Sequence, residues 1–279
     1  MIDLHCHSTC SDGSETPTTV VRLAAEAGLS ALALTDHDGL EGLSEAKKAA
    51  STAEIELVQG CEVSCKFSPG TMHILCYFVE VEDGPLQSQL ERLRQDRMTR
   101  NDRLIGRLNE LGIEISLDDV RAEAGGSTLG RPHFAAALVR KGVAESYQAA
   151  FDQLLGKGGP AYIPKAFISP EETIDSAAAS GALAVLAHPL SLGLGPGPLD
   201  SLLASLAEAG LTGVECWYGR YSEQERQRLL RLAERHGLVA TGGSDYHGSF
   251  KPDLSVGTGQ GDLEVPDSAL AALRERRAA

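Results

Sequence analysis

Histidine recurs at alternate positions near the start of the chain, in His5-Cys6-His7-Ser8-Thr9-Cys10-Ser11-Asp12-Gly13. Alternate residues of a strand share a face, so both imidazoles can address one metal ion while Cys6 points the other way. Asp12, just past the strand, reaches the same pocket. Further candidates stand at the ends or starts of apolar runs: His37, Glu62, His73, His188 before Pro189, and Asp245 and His247. Most have an ordinary alternative. His73 would serve as a satisfied core histidine, His188 as a turn residue, and Asp245-Tyr246-His247 as an acidic turn. Glu62 resists one, because a carboxylate inside the apolar run Leu57–Val63 is costly to bury unpaired. Nine nitrogen and oxygen donors exceed the needs of one ion and would hold two or three if a carboxylate bridges. Imidazole and carboxylate without thiolate suit Mn, Zn or Fe.

The elements that must position these residues alternate in type. Ile2–His7 reads as a strand, Thr16-Pro17 opens a helix that Gly28 stops, and Ser30–Thr35 is a second strand. A helix over Leu40–Ala53 follows. Ile55–Val63, broken by Gly60, is a third strand, and His73–Val79 a fourth. This alternation predicts an α/β fold with a parallel sheet or barrel, whose ligands gather at the C-terminal ends of the strands. From Pro85 to about Gly156 the pattern turns helical: Leu86–Leu111, Leu117–Ala124, His133–Lys141 and Ala144–Leu155. Alternation resumes with helices at 170–180, 199–209, 222–236 and 266–279 and strands at 183–187, 213–217 and 238–242, with 193–198 a loop. The expected organisation is a barrel in two parts, 1–84 and 164–279, with an inserted helical module at 85–163 that caps the substrate site.

Composition sets limits. The chain has 279 residues, is 42% hydrophobic and carries a formal charge of -14. That length allows one large core with an insertion, and that charge repels long nucleic acids and anionic membranes. Six cysteines form no C-x-x-C pair, so reduced buried thiols in a cytoplasmic protein are expected. No apolar run is long enough to span a bilayer and no signal peptide opens the chain. No obligate protein partner is evident.

Taken in order, His5-Cys6-His7-Ser8 through Ser11-Asp12-Gly13, Thr35-Asp36-His37-Asp38, Gly60-Cys61-Glu62-Val63-Ser64, His73, Ala187-His188-Pro189 and Gly243-Ser244-Asp245-Tyr246-His247 resemble the motifs of the PHP (polymerase and histidinol phosphatase) family. The helical segment, with Gly130-Arg131-Pro132-His133-Phe134-Ala135, is similar to the branch holding 3',5'-nucleoside bisphosphate phosphatases and the RNase AM type of 5'-to-3' exoribonuclease. The resemblance implies a distorted (β/α) barrel of PHP type around two or three divalent ions, manganese foremost. Carried onto this chain, His5, His7, Glu62 and Asp245 would bind one ion. Glu62 would bridge to a second held by His73 and His188, and Asp12, His37 and His247 would bind a third. Some relatives carry histidine where Asp12 stands.

Clustered ions can activate water, orient a phosphoryl group and neutralise its charge. The expected reaction is attack on phosphorus by a metal-bridging hydroxide, with Asp245 the candidate to accept or shuttle a proton. Cations for the substrate come from the insertion. Arg94, Arg97, Arg100, Arg103 and Arg107 recur at helical spacing, although interspersed acids would also suit a solvated face. Arg131 and His133 are better placed, before a helix, to meet phosphate. Lys157, Lys165, Trp217 and Tyr218 are further candidates for phosphate or base. A second phosphate held by the insertion favours 3',5'-nucleoside bisphosphate or short 5'-phosphorylated RNA as substrate. Histidinol phosphatase, a metallohydrolase of amides, and a non-catalytic binding domain are the competing readings.

Overall fold

Among the described residues seven strands run around the molecule in sequence order and nearly close on themselves. The computed structural model describes residues 1–68, 70–80, 82, 84–124, 129–164 and 167–279. The strands are β1 (Ile2–Cys6), β2 (Ala31–Leu34), β3 (Glu56–Lys66), β4 (Thr71–Tyr77), β5 (Leu183–Leu186), β6 (Gly213–Tyr218) and β7 (Val239–Gly243). They pair in the order β1-β2-β3-β4-β5-β6-β7. Closure between β7 and β1 is made by the backbone: Asp245 N donates to the His5 carbonyl at 2.8 Å and His7 N to that of Tyr246 at 3.0 Å. Buried Asp3 adds to it by accepting from the N–H groups of Ser244 and Gly257 at 2.9 and 2.7 Å.

Two glycines permit this closure. A Cβ on Gly243 would sit 2.4 Å from the His5 Cβ, and one on Gly242 would sit 2.3 Å from the Trp217 carbonyl oxygen. No side chain fits where β7 is pressed between β6 and β1.

Pairing is parallel except around β4, which is antiparallel to both β3 and β5. This corrects the all-parallel reading of the strand–helix alternation. Only residues 67–70 separate β3 from β4, far too few for a crossover, so the two must form a hairpin. Gly60 does not break β3 but pairs with Tyr77.

Among the described residues ten helices surround the sheet: α1 (Pro17–Glu26), α2 (Leu43–Ala53), α3 (Pro85–Glu110), α4 (Leu117–Arg121), α5 (Arg131–Arg140), α6 (Tyr147–Ala150), α7 (Pro170–Ala179), α8 (Pro196–Glu208), α9 (Glu223–Arg235) and α10 (Asp267–Ala278). Local chemistry starts many of them. Thr16, Ser169 and Ser222 each accept an N-terminal amide of the helix that follows. Helix α8 begins at Pro196, inside the expected loop, because proline suits the first helical turn. The helix expected over Ala144–Leu155 is instead short α6, capped by Ser146 and running into a π-helical turn at Phe151–Leu155.

Four apolar clusters follow from this layering. Ile2, Leu4, Ala33, Val58, Leu75, Tyr77 and Val239 pack with Leu270 and Leu273 of α10. Tyr77 donates across this cluster to the Leu4 carbonyl at 2.9 Å. Helices α1 and α2 cover β1 and β2, burying Cys6. Helices α7, α8 and α9 cover the opposite side, burying Cys61, Cys65, Cys76 and Cys216. All six cysteines are free thiols. Segment α3 to α6 has its own core, with Leu104, Leu108, Phe134 and Leu138 fully enclosed.

A bulge in β1 has a consequence at the site. Ile2 and Leu4 face one cluster and Cys6 another, although simple alternation would put all three on one side. The register against β2 shifts between Asp3 and Cys6, which resets the alternation and turns His5 and His7 inward.

Candidate metal centre

Strand ends deliver the nine expected donors to one place. His5 Nε2 lies 3.1 Å from His7 Nε2. Both face Glu62 Oε2, at 3.4 and 3.2 Å, and Asp245 Oδ1, at 3.5 and 3.4 Å. The other oxygen of Glu62 meets His73 Nδ1 at 3.0 Å and His188 Nε2 at 2.9 Å. Asp12 closes the far side, 3.2 Å from His247 Nε2 and 3.7 Å from both His37 Nε2 and His7 Nδ1. Four overlapping groups can each enclose a cation: His7, Asp12, His37 and His247; His5, His7 and Asp245; His5, Glu62 and His188; and His37, Glu62 and His73. Glu62 is common to two of them. Asp12, His37 and His73 are partly open; the rest of the set is buried.

The surrounding hydrogen bonds aim lone pairs inward. Glu215, fully buried on β6, accepts from His5 Nδ1 at 2.9 Å and from the His188 N–H at 2.7 Å. His247 Nδ1 donates to the Asp245 carbonyl at 2.8 Å. Each of these leaves the Nε2 lone pair of His5 and His247 facing the cluster, as carboxylate–imidazole supports do at metal sites. Asp245 Oδ2 accepts from the Tyr218 hydroxyl at 2.8 Å and from Lys251 Nζ at 2.5 Å. Asp36 accepts from Ser8 N, Ser8 Oγ and Ser11 Oγ at 2.8, 2.7 and 2.6 Å, which folds the turn that presents Asp12. The backbone is strained at two of the donors, with φ of +26° at His188 and +56° at Asp245.

Burial works against ionisation of Glu62, Asp12 and Asp245. The imidazoles around all three, and Lys251 beside Asp245, outweigh it and hold them well below the carboxylate range. His7 is buried too, yet its bonds with Asp245 and Glu62 raise it to about 9. Burial prevails at His37 and lowers it to about 3. One observation bears on whether metal fits: His37 Nδ1 is buried 3.2 Å from Glu62 Oε2 but makes no hydrogen bond. An imidazole nitrogen and a carboxylate oxygen that face each other without a shared proton suit a cation between them. The donor set therefore fits divalent metal.

A cleft of about 240 Å³ opens from the cluster towards the helical segment. Asp12, His37 and His73 line one wall; Arg97, Arg100, Arg131 and Phe151 line the other. Arg97 is tied to Asp38 in a short ion pair, and Asp38 accepts from the Ser64 N–H at 2.8 Å. Arg100 is buried, and its Nε makes no hydrogen bond. Burial, with Arg131 and Arg97 nearby, lowers Arg100 to about 10.

Residues 3–155 match the family model described as the PHP domain. The chain belongs to the PHP domain family. It is 34% identical to a 3',5'-nucleoside bisphosphate phosphatase of Chromobacterium violaceum over 92% of this chain and 90% of that one. It is 36% identical to a phosphoribosyl 1,2-cyclic phosphate 1,2-diphosphodiesterase of Eggerthella lenta, over 89% and 94%. It is 34% identical to the 5'-3' exoribonuclease Rnm of Escherichia coli, over 88% and 84%. Among solved structures, a protein of Bifidobacterium adolescentis described as a metal-dependent phosphoesterase superposes with a TM-score of 0.85 at 33% identity, covering 99% of this chain and 96% of that one.

Within this PHP site, the residues expected to meet substrate divide. Arg97 and Arg131 stand in the cleft. Arg94 does not, because its guanidinium grips Glu91 on the exposed face of α3. His133 is buried and caps its own helix, accepting from the Gly130 N–H at 3.0 Å. Lys157 is exposed and is not among the residues that line the cleft. Tyr218 serves Asp245 instead of an open surface. Lys165 lies outside the described residues. Arg100, expected only as one of the helical arginine set, lines the cleft as well, and Glu215 and Lys251 complete the site without having been singled out. Glu215 carried the same signal as Glu62, a carboxylate inside an apolar run, here Val214-Glu215-Cys216-Trp217.

Proposed function

We propose that this PHP protein is a metal-dependent phosphoesterase that removes the 3'-phosphate from 3',5'-nucleoside bisphosphates, and that short 5'-phosphorylated RNA is a second substrate. The observation that carries the proposal is the cleft with metal donors on one wall and Arg97, Arg100 and Arg131 on the other. A substrate with two phosphates can present one to each wall. The names of the Chromobacterium and Escherichia relatives fit this reading.

In this reading His5, His7, Glu62 and Asp245 hold one ion, His73 and His188 with Glu62 a second, and Asp12, His37 and His247 a third, manganese being the metal. Bound there, the ions would activate water and neutralise the phosphoryl oxygens. The chain's own residues do the rest. Glu215 fixes the His5 ring and the backbone at His188. Tyr218 and Lys251 occupy one oxygen of Asp245 while the other faces His5 and His7, so Asp245 holds charge at the cluster instead of carrying a proton. The arginines bind the second phosphate, and the buried Arg100 Nε gives that anion an unsatisfied donor. Residues 85–163 act as a cap that brings these cations over the barrel.

The Eggerthella relative's substrate also joins a phosphoribosyl group to a further phosphate, which makes cyclic phosphodiesters the reading to separate. The test is a product screen of the manganese-loaded protein that reads both inorganic phosphate and released 5'-mononucleotide. Its panel is adenosine 3',5'-bisphosphate, a 5'-phosphorylated trinucleotide, phosphoribosyl 1,2-cyclic phosphate and histidinol phosphate. Greatest kcat/KM on the bisphosphate, with phosphate as product, is expected. Preference for histidinol phosphate, or no hydrolysis of any of the four, contradicts the proposal.

A further inference from the structure

Phe151 is out of character with the cleft it lines. Acids, imidazoles, guanidinium groups and serines make up most of those walls, yet Phe151 offers an aromatic ring, with Pro132 the other apolar side chain there. The helical core covers it only in part. The ring is placed there by an irregularity: α6 passes into a π-helical turn at Phe151, closed by Gly156 N donating to the Phe151 carbonyl at 2.7 Å. Such turns recur at functional sites. Tyr147, one turn earlier, sets its ring 5.4 Å from that of Phe151 at 43° and is 39% exposed, among the most open large hydrophobic side chains described.

From this juxtaposition of metal donors, arginines and a partly covered aromatic ring on one cleft, with a second ring packed against it, we infer that Phe151, backed by Tyr147, forms a stacking surface for the nucleobase of the substrate. The inference rests on the nucleotide reading given above and assigns the third part of the ligand. Three wall chemistries match three ligand chemistries: reacting phosphate, second phosphate and base. Stacking on an aromatic face uses the π-surface that every base has, so it tolerates any base and favours the larger purines. Two aromatics that the sequence offered for the base are engaged elsewhere. Tyr218 donates to Asp245, and Trp217 packs between the two barrel cores.

Equilibrium binding separates this inference from the catalytic proposal. The ligands are adenosine 5'-monophosphate and ribose 5-phosphate, which differ by the base, titrated calorimetrically into manganese-loaded protein. The wild type should bind the nucleotide more tightly than the sugar phosphate. Phe151→Leu keeps the apolar volume and removes the π-face. It should weaken nucleotide binding about tenfold and bring the two affinities together. Tyr147→Leu, at an exposed position, repeats the test should Phe151→Leu fail to fold. Equal wild-type affinity for the two ligands, or variants that weaken both by the same factor, overturns the inference. Absence of phosphate release by a protein that still discriminates the two ligands bears on the proposed reaction alone.

Discussion

Glu215 holds His5 from behind: its Oε1 accepts from His5 Nδ1 at 2.9 Å, in a position with no exposure to solvent. The other oxygen of the same carboxylate accepts from the His188 N–H at 2.7 Å. One side chain thus fixes the ring of one metal donor and the strained backbone of another.

Glu215→Gln keeps the shape but replaces one acceptor oxygen with an NH2 that cannot accept from either donor. We predict metal affinity lower by about 10- to 100-fold, with most activity regained at saturating manganese. Metal titration monitored by phosphate release checks this. Unchanged affinity would remove Glu215 from the support of the centre.

His7 makes metal uptake depend on pH. Its imidazole titrates at about 9 in the metal-free centre, raised by Asp245 and Glu62 against the effect of burial. Below that pH a cation must displace the proton from His7, so affinity falls as the solution becomes more acidic. Although burial lowers it, Glu215, Glu62 and Asp245 hold His5 well above the ordinary imidazole value, so it too must lose a proton and the slope is about tenfold per pH unit for each proton displaced. His37, held near 3, is already neutral and adds nothing to the slope. Manganese titrations between pH 6.5 and 8.5, with proton release followed in weak buffer, check the sign. A flat profile contradicts it.

Arg131→Ala and Arg100→Ala should each raise KM for adenosine 3',5'-bisphosphate about 10- to 100-fold, the worth of a charge-assisted hydrogen bond, and raise KM for an aryl phosphate far less. Arg94→Ala should change neither, because Arg94 pairs with Glu91 outside the cleft. Equal effects of Arg131→Ala on both substrates would take Arg131 out of recognition of the second phosphate.

The candidate metal donors were legible in the sequence for a physical reason. Charge inside an apolar run is costly, so Glu62 and the His5-x-His7 pair stand out from their strands. Glu215 broke the same rule, yet no motif accompanied it. The arginines were legible as a set but not singly. Arg94, Arg97 and Arg100 share one helical periodicity, and only the way α3 packs decides that Arg97 and Arg100 face the cleft while Arg94 faces water. Lys251 sits in a loop six residues beyond Asp245, where no periodicity speaks. The direction of β4 was available in the nine residues between the expected strands, too few for a parallel crossover, and strand–helix alternation elsewhere obscured it. Phe151 was unreadable, since its direction depends on a π-helical turn where regular periodicity predicts plain helix.

Metal dependence of phosphate release tests the central claim most directly. Protein stripped with chelator should release no phosphate from adenosine 3',5'-bisphosphate, and added manganese should restore turnover as two or three ions bind per chain. Glu62→Ala should bind fewer ions and stay inactive, because it removes the oxygens that face His5 and His7 on one side and His73 and His188 on the other. Full turnover by the stripped protein, or by Glu62→Ala with its metal content unchanged, would contradict the account.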